Sequence, residues 1–182
     1  LPVDESSPCA PRALYPATKL CAEQMCQLYH RLYTWPITIC RLSNVYGPRE
    51  SHDNPNKAAL NHLIWKAMQG EPLEVYDGGN FPRDYLYIDD AVAALWMVAQ
   101  RGASGLYLIG SGRGVLFREV IASLRQLTEQ RSSLRSVPTP AFHQAVGITN
   151  FLMSIEKIKA LGWAPTVTLQ DGLARTIASY AS

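Results

Sequence analysis

What this sequence does without narrows its function first. No run of 18 apolar residues occurs in its 182, and no secretory leader pattern is visible, so a soluble, cytoplasmic protein with no membrane partner is expected. Charge of one sign is not in excess: 17 Lys and Arg stand against 15 Asp and Glu. That balance offers no basic field of the kind that holds nucleic acid. Cysteine is scarce and unpatterned, since Cys9, Cys21, Cys26 and Cys40 form no Cys-x-x-Cys pair and two of them fall within one predicted helix. Free thiols in a reducing compartment are expected, not a disulfide framework. The four His, at 30, 52, 62 and 143, lack metal-ligand spacing, so no metal site is expected. No Gly-x-Ser-x-Gly elbow is present, which removes a familiar serine-hydrolase signature.

What remains is an ordinary globular composition, 47% hydrophobic. A chain of this size buries about 70% of its unfolded surface, enough for one domain, or one with a lobe. Arginine outnumbers lysine twelve to five, a bias toward bidentate recognition of phosphate or carboxylate. Residues 1–14 hold three prolines and read as a loop. Pro16 suits the first turn of a helix, and Ala22, Cys26, Tyr29 and Tyr33 share a stripe that predicts a helix from about 17 to 33. Residues 37–41 form a short β-branched run, predicted as a strand buried on both faces as in a parallel sheet. Arg41 to Pro48 then reads as the start of a polar loop, and loops at the carboxyl ends of strands are where open α/β sheets bind ligands.

Further on, the pattern predicts a helix opened by Asn54-Pro55 and closed by Gly70, strands over 73–76 and 85–88, and a helix capped by Asp89 that ends near Arg101. A strand over 106–109, helices over 117–129 and 154–161, a strand over 134–137 and a last helix opened by Thr168 and Asp171 complete the pattern.

Two stretches invite a chemical reading. In Tyr15-Pro-Ala-Thr-Lys19 a phenol and an ammonium sit four residues apart, on one face of the predicted helix. A free tyrosine, with its pKa of about 10, is a poor base near neutrality. A unit charge about 4 Å away is worth roughly 4 kcal/mol at an effective dielectric of ~20 but only about 1 kcal/mol in water, so such a pair works as a base only where something covers it. Gly110-Ser-Gly-Arg-Gly114 looks like a phosphate cradle, but position 115 is Val and no acidic residue ends a second strand about 20 residues on. A tight strand-to-helix turn explains it. Asp89 and Asp90 tempt as paired carboxylates, whereas helix capping explains Asp89 without chemistry.

Taken in order, YPATK at 15–19, RLSNVYGP at 41–48, RDYLYIDDA at 83–91, LYLIGSG at 106–112 and LGWAP at 161–165 resemble one family. It is the extended short-chain dehydrogenases/reductases of the NAD-dependent nucleotide-sugar epimerase/dehydratase type, which includes the UDP-glucose 4-epimerases, and the likeness is to their C-terminal part. The resemblance implies an α/β chain: a partial Rossmann-like fold that keeps the last parallel strands, plus a small substrate-binding lobe. It places a remnant of the dinucleotide-binding domain at 1–50 and mainly the lobe at 51–182, with a strand returning to the sheet near 106–109. By the same resemblance Tyr15 is the catalytic acid/base, and Lys19 lowers its pKa and holds the nicotinamide ribose of NAD. Asn44 then lies near the diphosphate of a nucleotide-diphosphate sugar, most simply a UDP-sugar, and Arg83 pairs with its phosphates. A phenolate suits the removal of a proton from a sugar hydroxyl whose carbon gives hydride to NAD. Each residue has a structural alternative, Asn44 as a loop-closing group and Arg83 as a surface ion pair.

The departures matter as much. The family's N-terminal Gly-x-x-Gly-x-x-Gly segment and the Ser or Thr that precedes the catalytic tyrosine are absent, and a second phosphate-binding arginine has no counterpart between His143 and Thr149. Leu1 to Pro8 resembles an interior loop, so a fragment is expected, inactive by itself and either self-associating or completed by the missing N-terminal half. The rival expectation is a non-catalytic module that binds a nucleotide-sugar or a protein partner.

Overall fold

Short β-branched and aromatic runs separated by amphipathic stretches fold into α/β layers, and the computed structural model describes residues 2–53, 59–139 and 150–181. Helix α1 (Leu14–Tyr33) leads into β1 (Thr38–Leu42) and β2 (Asn44–Tyr46), then α2 (Ala59–Met68), β3 (Leu73–Val75), a 3-10 turn at Asp77–Gly79 and β4 (Pro82–Tyr87). The second half runs α3 (Ile88–Arg101), β5 (Gly105–Ile109), β6 (Gly114–Leu116), α4 (Phe117–Leu127), β7 (Leu134–Ser136), α5 (Glu156–Lys159) and α6 (Leu169–Tyr180).

Among the described residues the strands form three small sheets. β1 and β5 pair in parallel from Thr38↔Gly105 to Leu42↔Ile109. β4 is the centre of a second sheet, parallel to β2 and antiparallel to β6, and β3 pairs in parallel with β7. The two edges of the β1–β5 pair are finished differently. Gly105 N–H donates to Ile37 O, and Ser43 N–H donates to Ile109 O. The alternation of a parallel ladder therefore turns the odd residues of both strands inward and leaves Leu106 and Leu108 on the far edge of β5. There Lys157 Nζ donates to Leu106 O at 2.7 Å, and Leu108 N–H donates to Glu5 Oε1 at 3.0 Å. The matching outward groups of β1, at Thr38, Cys40 and Leu42, meet no such cover among the described residues.

Apolar burial falls into two clusters. One joins α2, α4, α6 and the strands beside them through Leu60, Ile64, Leu73, Val120, Leu124 and Leu173. The other packs α3 and α5 on β5 through Ala94, Val98, Tyr107, Ile109, Ile158 and Trp163. Helix α1 belongs to neither and has no buried residue. A gap of about 50 Å³ lined by Cys26, His30, Ile37 and Leu106 separates it from the β1–β5 pair.

The outline follows the sequence pattern, and its departures have identifiable causes. β1 is only partly buried, because α1 lies loosely over it and one edge carries no strand among the described residues. The stretch read as a polar loop contains β2, drawn into the sheet by Tyr46, which is 2% exposed. Asp89 is not a cap: Tyr87 holds that position without a side-chain bond, and Asp89 lies exposed in the first turn, 3.9 Å from Arg175. Asp90 is buried and accepts from Thr166 N–H, Thr166 Oγ1 and Val167 N–H, anchoring the approach to α6. The glycine-rich loop leads into β6 before α4, so it is not a direct strand-to-helix turn. The helix expected over 154–161 is regular only over α5. Thr168 does cap α6, its Oγ1 accepting from Asp171 N–H at 3.1 Å, and Gly70 has the expected left-handed φ of 72°. The Asn54-Pro55 helix start and the 143–149 stretch lie outside the described residues.

Candidate active site

At the carboxyl end of β1, between α1 and the N-terminal loop, lies an open cleft of about 1050 Å³. Tyr15, Lys19 and Glu23, spaced four apart on α1, face it together with Arg41 and Ser43 from the end of β1. The structure thus brings Tyr15 and Lys19 together, with Lys19 Nζ 5.4 Å from the centroid of the Tyr15 ring. Tyr15 is 72% exposed, as its place on the unburied first turn dictates. Water screens the ammonium there, so the charge acts on the phenol far less than in a closed site. Ser43 Oγ is buried in the same wall and has no hydrogen-bond partner among the described residues.

Asn44 and Arg83 lie outside the lining of this cleft and share the β2–β4–β6 sheet. Asn44 stands opposite Tyr85, and its Nδ2 donates to Asp84 O at 2.9 Å, so it closes one strand on the next. The Arg83 guanidinium lies 5.0 Å over the Phe81 ring and donates to Pro82 O at 3.3 Å.

Asp84, between them, is the residue that sequence reasoning passed over. It is fully buried, and its carboxylate accepts from Ser111 N–H and Oγ, both at 2.7 Å, from Gly112 N–H at 3.2 Å and from Met153 N–H at 3.4 Å. A Cβ on Gly110 would fall 2.6 Å from its Oδ2, which is why the loop carries glycine there. The amides that could cradle a phosphate are therefore spent on Asp84. Among the described residues no group of three or more His, Cys, Asp or Glu is arranged to hold a metal ion, and no helix is long and apolar enough to cross a membrane.

A mixed α/β array with parallel strand pairs is the architecture the sequence motifs implied. The profile of the NAD-dependent epimerase/dehydratase family matches residues 2–110. This chain belongs to that family. Its similarity to individual members extends further. A dTDP-glucose 4,6-dehydratase from Neisseria gonorrhoeae is 29% identical over 97% of this chain and 53% of its own length. The human dTDP-D-glucose 4,6-dehydratase is 32% identical over 97% and 51%. Among solved structures, a Thermotoga maritima UDP-glucose 4-epimerase with UDP-glucose superposes with a TM-score of 0.91 at 26% identity, over 99% of this chain and 57% of that one. A Bacillus anthracis dTDP-glucose 4,6-dehydratase in complex with NAD gives 0.85 at 26% identity, over 99% and 56%. The chain spans about half the length of the curated relatives it matches.

The family's expected cofactor, NAD, meets a partial fit. The cleft beside Lys19 is roomy, and the orphaned Ser43 hydroxyl marks its wall as polar, which suits the nicotinamide-ribose end. The glycine loop is no cradle for the pyrophosphate, because Asp84 occupies its amides.

Proposed function

We propose that this chain carries the acid/base helix and the nucleotide-sugar lobe of an NAD-dependent epimerase or dehydratase. Tyr15 takes and returns the proton of a sugar hydroxyl, and Lys19 favours the phenolate and would hold the nicotinamide ribose of NAD. NAD supplies the acceptor for hydride and its return. Asn44 orients the sugar diphosphate, and Arg83 offers its phosphates a charge-assisted donor. The division into a dinucleotide-domain remnant at 1–50 and a lobe at 51–182 is part of this reading. The observation that carries it is the Tyr15–Lys19 pair on one helix face, opening on a cleft at the carboxyl end of the parallel β1–β5 pair.

The exposure of Tyr15 supports a further claim, that the 182-residue chain alone does not turn over its sugar. The electrostatic help from Lys19 needs a cover that excludes water. Calorimetry and turnover assays with NAD and UDP-glucose or dTDP-glucose test this. The isolated chain is expected to show no turnover and little NAD affinity, and co-expression with a family N-terminal half is expected to restore both. Turnover by the chain alone refutes the claim.

A second reading, a nucleotide-sugar-binding module without chemistry, is favoured by the intact β2–β4–β6 sheet around Arg83. Saturable UDP binding by the isolated chain, weakened about ten- to a hundredfold in Arg83→Ala as loss of a charged hydrogen bond requires, supports it. Absence of nucleotide binding removes it.

A further inference from the structure

Helix α1 carries Glu23 one turn beyond Lys19, and i, i+4 spacing puts that carboxylate within reach of the same ammonium. Such a pair would draw Lys19 along the helix and away from Tyr15. Arg41, at the end of β1, prevents it. Its Nε donates to Glu23 Oε1 at 2.9 Å and Oε2 at 3.1 Å, and its Nη2 donates to Oε2 at 2.6 Å. The two side chains are only 24% and 15% exposed. The Glu23 hydrogen bond is the chief reason the Arg41 pKa lies above its ordinary value, with burial opposing and the Glu23 charge adding. Lys19 makes no ion pair among the described residues and faces the Tyr15 ring instead.

We propose that Arg41 is a positioning residue for the Tyr15–Lys19 pair: by engaging both oxygens of Glu23 it removes the one carboxylate on the helix face that competes for Lys19. The two turns of helix thus hold three charged or ionisable groups in line, and the fork from β1 decides which of them pair. A guanidinium suits this task because its planar donors satisfy both carboxylate oxygens at once, whereas an ammonium would leave one of them open to Lys19. The functional weight of the device rests on the acid/base reading of Tyr15 and Lys19, while the geometry itself can be tested without any nucleotide.

The measurement is the ring-current shift that the Tyr15 ring imposes on the Lys19 ε-protons, read by NMR in the full 182-residue chain and zeroed with Tyr15→Leu. Glu23→Gln is expected to keep the shift, Arg41→Met to lose it, and Glu23→Gln/Arg41→Met to regain it. Should Arg41→Met fail to fold, Arg41→Lys, which keeps the charge without the fork, is expected to lose part of it. A purely structural bridge would behave otherwise, with either single substitution disturbing the helix alike and the double repairing nothing. The proposal is overturned if the shift is undiminished in Arg41→Met or in Arg41→Lys, falls as far in Glu23→Gln as in Arg41→Met, or stays lost in the double variant. Because no ligand enters the readout, failure of the NAD and nucleotide-sugar assays leaves this result standing, and the reverse also holds.

Discussion

Tyr85 stands opposite Asn44 in the β2–β4 ladder, and burial pushes its phenol up to about 12, with Arg83 opposing and Tyr76 adding. Burial drives Tyr46, which meets Tyr85 edge to face, upward as well. Both residues sit in the floor of the β2–β4 sheet, so their titration reports on the sheet that carries Asn44 and Arg83. A phenol whose folded pKa exceeds its unfolded value of about 10 contributes stability that is fully present below pH 10. That contribution is lost as pH rises from about 10 toward 12. Two units correspond to roughly 2 to 3 kcal/mol for Tyr85. Urea unfolding at pH 9 and pH 11.5 is expected to show that fall in the wild-type chain and a smaller one in Tyr85→Phe. Equal pH dependence in the two proteins would show that Tyr85 is not the group responsible.

At the scale of elements, α6 packs against the β2–β4 pair, and a glycine sets how near it comes. Gly172, in the first turns of α6, has no side chain where a Cβ would run into the Tyr46 hydroxyl and lie 2.9 Å from Tyr87 Cδ2. Alanine is the better helix former by about 1 kcal/mol, yet here it forces two buried rings aside, at a cost of roughly 1 to 3 kcal/mol. Gly172→Ala is therefore expected to lower the urea midpoint; a rise would mean that helix propensity governs the site. What the sequence disclosed at this scale depended on range. Tyr15 and Lys19 declare themselves by i, i+4 spacing, and Thr168 with Asp171 by a local cap. Asp84 declares nothing, because its partners lie 27 and 69 residues away along the chain. The Glu23–Arg41 bridge spans 18 residues from a helix to a strand end, and only the second of its two positions, at a strand's carboxyl terminus, gave a signal. β2 escaped notice because three residues are too few to show a period of two.

For the whole molecule, the notable surface is on α1. Met25, Leu28, Leu32 and Tyr33 are each 47% to 71% exposed, and Trp35 follows them. The rings of Tyr29, Tyr33 and Trp35 lie 5.4 to 5.6 Å apart and form one aromatic patch. Contiguous apolar surface of this kind beside an uncovered strand edge favours association. Sedimentation across a range of concentrations is expected to show mass-action self-association that weakens in Leu32→Lys. A single monomeric species at high concentration would contradict it. The family motifs were legible at this scale because each is a short string, and the exposed face of α1 was legible too, because a helix apolar beyond a single stripe needs cover on more than one side.

The unequal finish of the β1–β5 pair gives the molecule a direction of growth. Lys157 plugs the outward carbonyl of Leu106 and Glu5 the outward N–H of Leu108, while among the described residues nothing covers the outward groups of β1 at Thr38, Cys40 and Leu42. A polypeptide that extends this sheet, natural or grafted, finds open backbone groups along the β1 edge. On the opposite flank, a strand would first have to evict two charged side chains from hydrogen bonds already made.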